Sequence, residues 1–206
     1  KLLGHMSDMI IGVSSVSLLQ FIRNGFGYKC KIVHNGIRND FVKTEKKITS
    51  PALKVGMAAF LLPWKGHLTF VKAAVALQNS NYRGSVNFEI AGDIPFFLDK
   101  SELPRYQRYK DSLIAFKEEH DKGNLIKFLG YQSEIIEVIR EWDITVIPST
   151  CQDSSPRVIL ESFILGIPVI GADIGGIPET VGDGGILFKP GDAPVSYTHL
   201  RAHETV

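Results

Sequence analysis

Residues 143–171 read DITVIPSTCQDSSPRVILESFILGIPVIG. Asp143–Ile147 is a short apolar run stopped by Pro148-Ser149, which predicts a strand buried on both faces. Arg157–Leu165 has helical spacing, with Pro156 suited to its first turn. Pro168–Gly171 is a second apolar run, followed by a Gly175-Gly176 turn. Strand, helix and strand in that order predict a right-handed crossover between parallel strands.

The same alternation extends both ways. Upstream, Leu53–Phe60 reads as a strand, Leu68–Gln78 as a helix, and Val86–Ala91 as a strand ending in the Gly92-Asp93 turn. A charged helix follows from Ser101 to about Lys122, with Tyr109, Leu113 and Phe116 on one face. Leu125–Leu129 is a strand ending at Gly130, and Glu134–Glu141 is helical. Nearer the N-terminus, Met9–Val13 is a buried-strand run, Ser14 is placed to cap the segment after it, and Cys30–Val33 is a second short strand. Ile186–Phe188 is a last strand. The expected fold class is α/β: a doubly wound, Rossmann-like parallel sheet with helices on both faces. No internal repeat or low-complexity segment interrupts it.

Composition narrows the function. The chain has 206 residues, of which 44% are hydrophobic and 22% charged, enough for one good core. Its 23 basic and 22 acidic residues leave a net charge of +1, which argues against an electrostatic nucleic-acid binder. Lys43, Lys46 and Lys47 read as a solvated loop rather than a membrane-docking patch. Cys30 and Cys151 are far apart in sequence and fit a reducing compartment better than a disulfide scaffold. No apolar run reaches the ~20 residues that span a bilayer. The start, without Met and in mid-pattern, reads as a truncation rather than a signal peptide. Val195–Thr205 resembles a translated sequencing-library adapter, so 195–206 is expected to be an adapter-derived tail.

Ligands of doubly wound sheets bind at the carboxyl ends of the strands. That rule directs attention to Leu61–His67, Gly92–Ile94, Gly130–Gln132, Ser149–Arg157 and Asp173–Ile177. Asp153 falls in a loop after a strand, and Glu161 just over one turn into the next helix. A helix N-terminus, with the amides of Ser155, Arg157 and Val158 nearby, favours an anion. A carboxylate beside it can accept hydrogen bonds from vicinal hydroxyls. Together they suit a ligand with both phosphates and hydroxyls, such as a nucleotide sugar. Spacing alone leaves open that Glu161 is a surface glutamate and Asp153 a turn residue.

The stretch VIPSTCQDSSPRVILESFILGIPVIGADIGGIPETVGDGGILF is similar to the signature region of glycosyltransferase family four. That region has Pro-Ser, two acids with seven residues between them, G-x-P-V, then G-G-x-x-E. KVGMAAFLLPWKGH, FEIAGD and IKFLGY resemble the family's other segments in the right order. MIIGVS followed by IVHNGI resembles the end of its N-terminal domain and the hinge. The resemblance spans about Asp8 to Gly191. It implies the C-terminal donor-binding half of a two-Rossmann-domain (GT-B) glycosyltransferase, with 1–35 a remnant of the N-terminal domain and hinge. Residues 36–52 would then be a linker, and 53–194 the truncated nucleotide-sugar-binding domain.

By the same resemblance, Glu161 holds the ribose hydroxyls, Asp153 contacts the transferred sugar, and Lys65 neutralises the donor diphosphate. Tyr131 lies where the family places its base pocket, and Ser155, Pro156, Arg157 and Val158, at the start of the helix that carries Glu161, are expected to bind the donor with it. The implied reaction is retaining transfer of a hexose-type sugar to a sugar or lipid-linked acceptor, in polysaccharide or glycolipid synthesis, with no metal and no cofactor. The fragment alone is expected to bind donor without turnover. The expected location is the cytoplasm, at the inner face of a membrane, with any membrane contact made through the N-terminal domain.

Two positions depart from the family pattern. Phe60 stands where the family usually has Arg, removing one cation of the diphosphate clamp, which Arg157 could replace. Asp153 stands for Glu and is one methylene shorter. The competing readings are a non-catalytic nucleotide-sugar-binding subunit, suggested by Phe60, and a sugar-nucleotide epimerase of the same fold. A Rossmann dehydrogenase would need G-x-G-x-x-G after the first strand, which is absent. Outside this set, His67 reads as a helix-cap or surface residue, Cys151 has no His motif around it, and Asp93 reads as a turn cap.

Overall fold

The computed structural model describes residues 2–38, 52–80 and 84–191. The Lys43–Lys47 cluster, most of the expected linker and the adapter-like tail lie outside those residues.

The main sheet comprises β3 (Leu53–Ala58), β4 (Val86–Ala91), β5 (Ile126–Gly130), β6 (Ile144–Ile147), β7 (Val169–Ala172) and β8 (Gly185–Phe188). Their order is β5-β4-β3-β6-β7-β8, and every pairing is parallel. The chain therefore starts in the middle, winds to one edge, returns across β3 and winds to the other. The helices supplying these crossovers are α3 (His67–Gln78), α4 (Leu103–His120), α5 (Ile135–Arg140), α6 (Arg157–Ile164) and α7 (Ile177–Val181). Helices on both faces explain why β6 and β7 are buried at every position. The core runs from Val55, Phe88 and Ile90 through Trp142 and Ile144 to Ile159, Ile170 and Ile177. Trp142 satisfies its one polar atom by donating from Nε1 to Glu89 Oε2 at 2.9 Å.

A smaller unit precedes this sheet. It contains α1 (Leu2–Met6), β1 (Ile10–Gly12), α2 (Ser15–Phe21) and β2 (Cys30–Ile32), with β1 and β2 paired in parallel. The expectation of a buried strand at 9–13 is corrected: Ile11 is 62% exposed, and Met9 is exposed too. Leu18 and Phe26 cover Ile10 from one side only, and β1 has a single neighbouring strand. Ser14 does occupy the N-cap of α2, where its N–H donates to the Ser17 hydroxyl at 3.2 Å.

Other differences have local causes. Helix α4 begins at Leu103 rather than Ser101, because Asp99 Oδ1 accepts from both the Ser101 N–H (2.8 Å) and its hydroxyl (2.8 Å), holding a turn there. Its buried face adds Tyr106 to Leu113, with Tyr109 and Phe116 half-buried. Pro156 is the N-cap of α6 rather than a first-turn residue, with extended ψ of 117°. The short helix α7 and the turn of 3-10 helix at Pro63–Lys65 carry too few residues to show a period in sequence.

Candidate donor-binding site

Strand β3 pairs with β4 on one side and β6 on the other, so the chain's winding direction reverses at β3 and β6. The loops leaving their C-terminal ends diverge there, and ligands of such sheets bind in that crevice. A cleft of about 430 Å³ opens at this point, lined by Phe60 and Lys65 after β3, Tyr131 after β5, and Pro148 to Glu161 after β6.

Lys65 is set by the short 3-10 turn, which ends at Gly66 in the left-handed region (φ 82°). A Cβ at Gly66 would run into the Pro148 carbonyl, so only glycine permits the two strand-end loops to approach this closely. They are also joined by the Thr150 N–H donating to Trp64 O at 2.8 Å. The approach delivers the Lys65 ammonium to Asp153, with Nζ donating to Oδ2 at 2.6 Å. The Ser149 hydroxyl lies 3.4 Å from the same carboxylate oxygen.

Asp153 is held from behind by the Gly175-Gly176 turn. The Gly176 N–H donates to Asp153 O at 2.7 Å. A Cβ on Gly175 would lie 2.6 Å from both Asp153 N and O, and one on Gly176 would strike Ser154 O. The paired glycines therefore do more than make a left-handed turn: they let one loop lie flat against the backbone of another.

Helix α6 points its N-terminus into the cleft. The first N–H groups of a helix lack intrahelical acceptors, and here they belong to Arg157 and Val158, both in the cleft wall. Glu161, one turn in, has a side chain only 12% exposed. Burial pushes its carboxyl above the usual range, and the Arg157 guanidinium draws it back, with Nη2 3.7 Å from Oε1. Tyr131 follows Gly130 (φ 69°) and stands at the mouth. Phe96 packs edge-on against it at 6.2 Å between ring centroids, and Phe60 packs edge-on against Phe97 at 5.4 Å.

All eight residues singled out in sequence, Lys65, Tyr131, Asp153, Ser155, Pro156, Arg157, Val158 and Glu161, line this one cleft. Phe60 lines it as well. His67 does not: the surface reading is corrected, since it is wholly buried at the first position of α3, with Nε2 3.4 Å from Ala59 O. Its burial lowers its pKa to about 4. Asp93 Oδ1 accepts from the Ile94 N–H and Lys110 Nζ, both at 2.7 Å, fastening the turn after β4 to α4. Cys151 is exposed, and Cys30 is free and half-buried. Two features went unread in sequence. The aromatic pair Phe96–Phe97 gave no periodic signal, and the contacts of Glu179 arise only from long-range folding.

The cleft thus pairs a cation and helix amides with two carboxylates, a combination suited to an anionic, hydroxyl-bearing ligand. Among the described residues, no three His, Cys, Asp or Glu side chains gather as a metal site. No described helix is long and apolar enough to cross a membrane.

Residues 39–198 match the family profile of the glycosyl transferases group 1. The chain belongs to this family. Among solved structures, Anabaena HepE in complex with UDP and glucose superposes with a TM-score of 0.81 at 25% identity, covering 97% of this chain and 54% of that one. HepE was also solved with UDP-glucose. TarM, at 16% identity and a TM-score of 0.74, shows the fold alone. The parallel sheet is thus that of GT-B glycosyltransferases. Among curated proteins, the N-acetyl-alpha-D-glucosaminyl L-malate synthase of Bacillus anthracis is 38% identical over 69 residues, 32% of this chain and 18% of its own. A sulfoquinovosyl transferase of Arabidopsis thaliana is 36% identical over 73 residues, 33% of this chain and 14% of its own. The chain spans about half the length of HepE, and its matches to these curated relatives cover less than a fifth of them.

Proposed function

We propose that the chain is the nucleotide-sugar-binding part of a retaining glycosyltransferase that moves a hexose-type sugar from a nucleoside diphosphate to a sugar or lipid-linked acceptor. The observation that carries this reading is the convergence of Lys65, Asp153, Glu161 and the α6 N-terminus in one cleft at the reversal point of the sheet. Lys65 and the first amides of α6 take the diphosphate, whose charge grows as it leaves. Glu161 accepts from the ribose hydroxyls, Asp153 from the transferred sugar, and the base lies against Tyr131. The charge of the leaving group falls to these side chains and amides, with no metal or cofactor assigned. UDP in the HepE complexes supports uracil as the base to test first.

In the same proposal, residues 1–35 belong to an N-terminal Rossmann-like unit and its hinge, and 53–194 to the donor domain. The acceptor would be recruited by the rest of the N-terminal unit. The setting would be polysaccharide or glycolipid synthesis in the cytoplasm, at the inner face of a membrane.

The test is a calorimetric titration of the chain with UDP-, GDP- and ADP-sugars, with Glu161→Ala in parallel. Saturable binding of one nucleotide series, lost in the variant, is the expected result. A folded chain that binds none of them overturns the reading. Phe60 in the cleft wall favours one second reading, a binding subunit without transfer activity. Full-length protein that binds donor but neither hydrolyses nor transfers it would establish that instead.

A further inference from the structure

Glu179 does not line the cleft, yet it joins the small N-terminal unit to the cleft's supporting turn. It sits in α7, three residues after Gly176. Its Oε2 accepts from the Ser15 N–H at 2.9 Å and from the Ser15 hydroxyl at 2.6 Å, across 164 residues of sequence. Its Oε1 lies 3.8 Å from His34 Nδ1. Ser15 is the first residue of α2, so its N–H has no intrahelical acceptor. A carboxylate from the other unit therefore accepts at the helix start, where negative charge is favoured.

The contact reaches the cleft through backbone. The turn before Glu179 is bonded to Asp153 O through the Gly176 N–H. Thr180, the residue after Glu179, places its hydroxyl 3.4 Å from that of Ser155. On the opposite side, Asn35 Nδ2 donates to Ser155 O at 3.2 Å. The 153–155 loop is thus gripped between α7 and the segment C-terminal to β2.

The geometry points to Glu179 as a positioning residue that clamps the N-terminal unit onto the 153–155 loop and so couples that unit's placement to donor affinity. Its affinity arm rests on the donor reading above; its clamping arm does not. Coupling of this kind is reciprocal: whatever the clamp adds to ligand affinity, the ligand returns to the clamp.

The test uses the whole chain, UDP as the probe, and three forms: unaltered, Glu179→Ala and Ser15→Ala. Amide hydrogen exchange is followed at Ser15–Phe21, and UDP affinity by calorimetry, after circular dichroism has shown each form folded. In Glu179→Ala, exchange at Ser15–Phe21 should rise about tenfold and UDP should bind about fivefold more weakly, within the usual range for coupled sites. Ser15→Ala, which keeps the main-chain bond, should fall between the two other forms. UDP should slow exchange at Ser15–Phe21 in the unaltered chain and not in Glu179→Ala. Faster exchange with unchanged UDP affinity overturns the coupling and leaves a purely structural contact. Unchanged exchange overturns the clamp. If the unaltered chain binds no UDP, the coupling falls together with the uridine reading, and exchange alone decides the clamp.

Discussion

Lys65 and Asp153, which follow different strands 88 residues apart in sequence, meet at 2.6 Å across the sheet's reversal point. The pair sets the polarity of the cleft. Lys65→Ala should weaken UDP binding at least tenfold, since a charge-assisted contact is worth ~1.5–3 kcal/mol. Uridine, which has no phosphates, should bind as before. Asp153→Ala should spare UDP but abolish any advantage of UDP-sugar over UDP. Parallel calorimetry of the three ligands checks both outcomes.

Glu161 should trade stability for binding. Its carboxyl is pushed up by burial, so in the fold the protonated form is favoured relative to the unfolded chain. Ionised Glu161 therefore costs stability at neutral pH, and the cost vanishes as pH falls below its ordinary value. Glu161→Gln should raise the midpoint of urea unfolding at pH 7, with little effect near pH 4, while lowering UDP affinity by about tenfold, ~1.4 kcal/mol. UDP affinity of the unaltered chain should rise with pH as the carboxyl ionises. A variant less stable at pH 7 contradicts the assignment.

Gly176 is a test of shape without charge. Its φ of −92° suits any residue, so Gly176→Ala acts through collisions, chiefly with Ser154 O and also with the Ser14 hydroxyl. Overpacking of this kind costs ~1–3 kcal/mol. The loop carrying Asp153 must shift in response, so UDP-sugar affinity should fall along with the unfolding midpoint. An alanine variant with unaltered thermal and binding behaviour would show the two loops to be independent.

His67 should give the fold an acid limit. It stays neutral in the fold down to about pH 4, because burial disfavours its charge, whereas in the unfolded chain it takes up a proton near pH 6.5. Its contribution is complete above pH 6.5 and falls steadily toward pH 4, by roughly 3 kcal/mol in total. Urea unfolding between pH 4.5 and 7 measures the slope, and His67→Gln should flatten it.

The alternation of apolar runs and helices was legible because β6, β7 and their crossovers bury both faces, and burial leaves unbroken apolar runs. Lys65, Tyr131 and Asp153 were legible by position, because ligands of a doubly wound sheet bind at strand ends, whereas spacing left Glu161 open and only the family resemblance singled it out. The features that stayed hidden depend on partners distant in sequence. Ile11 looks like a core residue but has no cover. His67 looks polar but is buried, with Nε2 3.4 Å from Ala59 O. Glu179 forms half of a motif, while its partner Ser15 lies on another unit, and no spacing rule links positions 164 residues apart.

The start in the middle of the sheet has a consequence for synthesis. Of the main sheet, strand β3 is made first, but its second neighbour β6 comes only after β4, β5 and their crossover helices, and the cleft lies between the two. A growing chain therefore cannot complete the cleft until Glu161 has left the ribosome. In the proposed binding mode, a ligand in the cleft would touch both wings of the sheet, Tyr131 beyond β5 on one and Asp153 to Glu161 beyond β6 on the other. Such a ligand should stabilise both wings together, by RT ln(1 + [L]/Kd).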